Sequence, residues 1–126
     1  MKEFINIIKE IEKELSVIYG RLNLFGLFER DDLKGKWDVL ISVNIPIDKK
    51  NELLKIVINL FNSKLNSSAL IQISRFIYLE PNHEFVLNIN MFANVENSDL
   101  EMRNCTINNI QIGHAIILSS NKEITI

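Results

Sequence analysis

From Trp37 to Ile45 the chain alternates, and this constrains its fold more than any other feature. Trp37, Val39, Ile41, Val43 and Ile45 share one face, while Asp38, Ser42 and Asn44 take the other. That is the period-two pattern of a strand with an apolar side to cover. Pro46 stops the run because it has no N–H to give to a sheet ladder. Leu22 to Glu29 is also compatible with a strand. The polar link Arg30-Asp31-Asp32-Leu33-Lys34-Gly35-Lys36 then joins the two runs as an antiparallel hairpin with a charged tip.

Helical periods flank this hairpin. Phe4, Ile8, Ile11, Leu15 and Ile18 recur at spacings of four and three, which predicts an amphipathic helix from about Lys2 to Tyr19 with Gly20 as its stop. Two heptads are too few for a coiled coil, so the apolar stripe is expected to pack on a sheet. After Pro46, Asp48 suits a helix cap. Leu53, Leu54, Val57, Ile58, Phe61 and Leu65 give the next helix its apolar face. Asn66-Ser67-Ser68 breaks that helix, with room for a short extra turn.

Arg75 to Leu79 reads as a strand, with Ile71 and Ile73 as a possible backward extension. Pro81-Asn82-His83-Glu84 is a turn and cap. Phe85, Val86, Ile89, Phe92 and Ala93 fit a short helix, whereas Phe85, Leu87, Ile89 and Met91 alternate as in a strand. Asn82 followed by an acid favours the helix. The last section is a hairpin beginning at Leu100-Glu101-Met102-Arg103 and turning at Asn108-Asn109, residues that tolerate the left-handed region. Its return strand puts Ile110, Ile112, Ile116 and Leu118 on one face and Ala115 and Ile117 on the other. Apolar residues on both faces predict a central strand covered twice. The tail 121–126 is expected to fray.

The expected fold is α+β: one domain over 1–126, with a largely antiparallel sheet of about five strands in the order α-β-β-α-β-α-β-β. Its helices are expected mainly on one face. Phe25, Leu27, Leu40, Ala115 and Ile117 then lack cover. Such a surplus predicts an exposed apolar patch and hence a homodimer or a protein partner.

Charge narrows the partners. The net charge of −2 disfavours a strongly basic nucleic-acid binder without excluding a local patch. Residues 1–75 carry twelve bases and ten acids, while Phe76 to Met102 holds five acids and no Lys or Arg, a surface able to steer a basic partner. Cys105 is the only cysteine, so no intrachain disulfide forms and a reducing compartment, the cytoplasm, is expected. The apolar stretch near the N-terminus is too short for a signal-peptide core. The longest uncharged stretch, Asn104 to Asn121, carries Asn108, Asn109, Gln111 and His114, which does not suit a bilayer.

The candidate polar cluster is Arg30, Asp31, Asp32, Lys34, Lys36 and Trp37 at the hairpin, with His83 and Glu84. Its acids could hold a metal ion, or Arg30 and Lys36 could grip a phosphate; the plainer reading is a solvated, solubilising tip. His83-Glu84 lacks the second histidine of the H-E-x-x-H zinc pattern, since Leu87 stands there. His114 is expected on a core face with Ile112 and Ile116, satisfied by one hydrogen bond, and Cys105 as a buried, inert thiol. No nucleophile elbow, Walker loop or dinucleotide fingerprint occurs, and neither a cofactor nor a metal site is expected.

Leu24-Phe25-Gly26-Leu27-Phe28-Glu29-Arg30-Asp31-Asp32, followed by Lys36-Trp37-Asp38-Val39 and Ser42, resembles a segment of an uncharacterised family of small bacterial proteins. Ser74-Arg75 and Leu79-Glu80-Pro81 fit the same pattern. The likeness covers about half the chain and implies a bacterial or mobile-element setting, with no activity or catalytic residue attached. The functional expectation is therefore a non-enzymatic, self-associating interaction module. The alternatives are a metal-dependent enzyme acting on nucleotides or nucleic acid through Asp31, Asp32, His83 or Glu84, and an acidic inhibitor or immunity-type protein using 80–101.

Overall fold

Helix α1 spans Lys2–Tyr19 and buries Ile8, Ile11 and Leu15, which its period marks out, and Ile5, which it does not. Fully burying each such side chain stabilises the fold by about 1.5–3 kcal/mol. The helix ends where Gly20 adopts a φ of +81° and donates its N–H to the Ser16 carbonyl, a conformation that glycine enters freely. Phe4 is only half-buried, and Ile18 is 55 % exposed; in the last turn it is Tyr19 that packs against the core. The computed structural model describes residues 2–32 and 34–122. Leu33 of the hairpin tip and the tail residues 123–126 lie outside the described residues.

Five strands form one sheet: β1 (Leu24–Arg30), β2 (Trp37–Ser42), β3 (Ile73–Tyr78), β4 (Leu100–Ile107) and β5 (Ile110–Ser120), in the spatial order β3-β2-β1-β5-β4. The pairs β1/β2, β1/β5 and β4/β5 are antiparallel. β2/β3 is parallel, because helix α2 (Lys50–Lys64) lies between them in the chain and carries it back to the starting end. The short turn Ile47–Lys49 is added to the expected order, and α3 (Ser67–Leu70) is the short extra turn expected where Asn66-Ser67-Ser68 breaks α2. Asp48 falls inside the first of them and caps nothing, since α2 starts after Lys49 without a side-chain cap. The tight turn at Asn108-Asn109 is as expected, with φ values of +50° and +64° and Ile107 paired to Ile110.

On one face, α1 and α2 close over Phe25, Leu27, Val39, Ile41, Ile116 and Leu118. The Phe61 ring meets Phe76 edge-on at 5.0 Å and Phe25 at 6.4 Å, a favoured aromatic geometry. On the opposite face lies helix α4 (Glu84–Phe92), the helical alternative for this segment. Its Phe85, Val86 and Ile89, with Ala93 just beyond, close over Leu24, Phe28, Leu40, Ala115 and Ile117. This corrects the expected apolar surplus: Phe25 and Leu27 belong to the first core, Leu40, Ala115 and Ile117 to the second, and none is exposed. The molecule covers its own second face there.

Strand β5, between β1 and β4, is covered twice as expected, but its phase is not simple. Arg30 pairs with Ile112 and Glu29 with His114, which leaves Gly113 as an extra residue, a β-bulge. A Cβ at Gly113 would lie 2.9 Å from the Asp31 Oδ1, so the missing side chain makes room for the hairpin tip. The bulge moves Ile112 into the second core with Ala115 and Ile117, whereas Ile116 and Leu118 stay in the first. Ile110 is 43 % exposed. Asn121 does not fray: its side chain donates to the Leu22 carbonyl and its N–H to the Asn23 carbonyl.

Candidate functional site

Helix α4 covers only part of its face of the sheet. Beneath its first turn a pocket of about 250 Å³ remains. Strands β1, β2, β3 and β5 supply its apolar surface through Phe28, Leu40, Ile77 and Ile112, and Phe85 closes it from the helix. One end is polar, formed by Arg30, Asp38, Arg75 and His83.

The parallel ladder builds that end. Asp38 and Arg75 are register partners on β2 and β3, so both side chains leave the sheet on the same face. Arg75 Nε and Nη2 donate to the two Asp38 oxygens at 3.1 and 2.7 Å, a bidentate arrangement that fixes the guanidinium plane. The bond to Asp38 raises the Arg75 pKa above its ordinary value, with burial opposing it. Asp38 is 4 % exposed. Arg30 Nε lies 3.6 Å from both Asp38 Oδ2 and Asp32 Oδ1, within ion-pair range but beyond a hydrogen bond. It is one of three buried side-chain polar atoms without a partner among the described residues, with Ser42 Oγ and Asn121 Oδ1. His83 precedes α4 as its cap, its Nδ1 accepting from the Phe85 N–H at 3.1 Å.

Of the candidate polar cluster, Arg30 and His83 meet at this pocket, and Asp32 sits beside it through Arg30. The others do not join them. Trp37 is buried in the first core, with its ring 5.1 Å from that of His114. Lys36 Nζ donates to the Ile71 carbonyl. Lys34 and Glu84 are exposed, and exposed Asp31 lies against Gly113. Among the described residues no three His, Cys, Asp or Glu side chains gather as a metal-ion set. Alternation places Asp38 on the polar face of its strand; its pairing with Arg75 depends on the parallel register.

A second polar site was not anticipated. Glu12, 3 % exposed, accepts from Ser16 Oγ on its own helix, Ser119 Oγ on β5 and Asn97 Nδ2 in the loop before β4. Its donors are all uncharged, and they bind α1 to the sheet. A cleft of about 490 Å³ opens beside it, at whose rim Arg21 pairs with Glu96 at 2.7 Å.

His114 is satisfied as expected, its Nε2 2.7 Å from Glu101 Oε1. That bond, with Arg103 assisting, lowers the Glu101 pKa. Cys105 is half-buried rather than buried as expected, packed against the second core, and this partial burial pushes its thiol up. Its alkylation by iodoacetamide slightly above the ordinary thiol pKa of about 8.5 is therefore expected to be slower in the folded protein than in urea, because less thiolate is present. Equal rates would contradict this burial.

The fold and site define an α+β protein with a two-arginine pocket between a sheet and a short helix. Comparison of the chain with protein-family models, curated proteins and solved structures finds no match. No helix among the described residues is long and apolar enough to cross a membrane.

Proposed function

We propose that the protein is a non-enzymatic binding module and that its pocket under α4 receives a small, mainly apolar ligand. The observation carrying this reading is the concave apolar surface drawn from four strands and closed by Phe85, the usual form of a small-molecule site. The two groups there that could act as bases, Asp38 and His83, are occupied in structural roles. Both Asp38 oxygens accept from Arg75, and His83 Nδ1 caps the helix, so neither is poised as a general base. The single cysteine supports a cytoplasmic location, and the hairpin resemblance a bacterial one.

The test is a methyl NMR titration with benzyl alcohol, a neutral aromatic probe. Shifts are expected at Leu40, Ile77 and Ile112, with none at Leu53 or Val57 in the first core. They should vanish in Ile112→Phe, which fills the space. Absence of shifts at the pocket methyls in the unaltered protein would overturn the reading.

A second reading, self-association, rests on a different observation. The outer side of α4 leaves Met91 84 %, Phe92 56 % and Leu87 43 % exposed. Docked against a second copy, these side chains would leave water. Light scattering at micromolar concentration is expected to show a dimer that Met91→Glu dissociates; a monomer would contradict it. Glu80, Glu84 and Asp99 nearby are exposed and have no ion pair among the described residues. A basic partner, the inhibitor-type alternative, would accordingly bind a monomer and be released by salt.

A further inference from the structure

We propose that the ligand of this pocket carries a single carboxylate, received by Arg30 and Arg75, on a compact aromatic or branched aliphatic body. The proposal rests on the pocket reading above and adds the chemistry of the head group. Arg30 lines the pocket, yet its Nε is buried without an acceptor. An unmet N–H on a charged group is among the more expensive features a structure can hold. The nearest carboxylates, Asp32 and Asp38, stop at 3.6 Å. Asp38 cannot move closer without breaking the fork that it holds on Arg75 at 2.7 and 3.1 Å. A molecule in the pocket can supply the acceptor that the described residues do not. Arg75 uses Nε and Nη2 on Asp38, which leaves Nη1 as a second donor in a plane already fixed.

Charge selects the head group. Two guanidiniums face two carboxylates, Asp32 and Asp38, and the local balance is neutral. A singly charged acceptor gains charge-assisted hydrogen bonds from both guanidiniums, whereas the second charge of a phosphate dianion doubles attraction and repulsion alike, gains little in a locally neutral site and costs more to desolvate. A neutral amide could fill the position but gains less from each donor. Size selects the body. At ordinary organic packing, about 250 Å³ holds on the order of ten non-hydrogen atoms, and its walls, Leu40, Ile77, Phe85 and Ile112, are apolar.

The experiment titrates the full chain with benzoate, benzamide, phenyl phosphate and benzyl alcohol, read by NMR shifts of the pocket methyls, and repeats this for Arg30→Met. That variant keeps the apolar stem and removes the donors. Benzoate is expected to bind about tenfold or more tightly than benzamide, a factor set by hydrogen bonds to a charged group. The preference should collapse in Arg30→Met while benzyl alcohol binds as before, which also reports that the variant is folded. Equal binding of benzoate and benzamide would overturn the carboxylate while leaving the pocket intact. Tighter binding of phenyl phosphate would replace the carboxylate with a dianion. An unchanged preference in Arg30→Met would remove Arg30 from the site. Failure of all four probes would instead overturn the pocket reading itself.

Discussion

Phe85→Ala is expected to remove about 3–5 kcal/mol of stability, the usual cost of truncating a buried aromatic. Phe85 is 4 % exposed and meets the Phe28 ring edge-on at 5.5 Å, under the first turn of α4. Its loss opens a cavity between helix and sheet where Leu40, Ala115 and Ile117 are packed. Against a total stability of about 5–15 kcal/mol this is a large fraction, and the melting temperature should fall by about 10–20 °C. Asn94→Ala, just beyond the same helix and exposed, should change stability by less than about 0.5 kcal/mol. Urea denaturation of both variants decides the matter. A small effect at Phe85 would mean that α4 does not hold the second face, and the dimer expected from an uncovered sheet would return.

Glu12→Leu is expected to destabilise by about 2–4 kcal/mol, because two hydroxyls lose their acceptor and a buried unmet donor costs about 1–3 kcal/mol. Ser119 is fully buried and Ser16 lies one helical turn away; Asn97 keeps a second acceptor, the Lys9 carbonyl. Glu12→Gln retains a carbonyl oxygen and should lose less. Equilibrium unfolding in urea gives both values. A Glu12→Leu variant as stable as the parent would show that desolvating the carboxylate cancels its hydrogen bonds, and the cluster would no longer count as a staple of α1.

Periodicity made most of the architecture legible. α1 and the Trp37 strand each repeat their period several times, and both face the first core as expected. α4 was ambiguous because nine residues supply too few repeats to separate a helix from a strand. Its role in covering the second face depends on tertiary packing. That omission produced the apolar surplus. Gly113 carried a signal, since an isolated glycine in a strand often marks a bulge, yet simple alternation placed Ile112 on the wrong face. Glu12 was also readable in principle. It falls four residues after Ile8 and three before Leu15, a carboxylate inside an apolar stripe. The Asp38–Arg75 fork was not readable, because 37 residues separate its members and only the parallel register of β2 and β3 brings them together.

The account stands on α4 lying against the sheet, since both the sealed second face and the pocket beneath the helix follow from that contact. Aromatic nuclear Overhauser cross-peaks test it directly, with the Phe25–Phe61 pair of the first core, 6.4 Å apart, as internal reference. Cross-peaks between Phe28 and Phe85 at least as strong as that reference are expected from their 5.5 Å separation. A spectrum that keeps the Phe25–Phe61 peaks and lacks those between Phe28 and Phe85 would mean a helix away from the sheet, an open apolar face and no pocket.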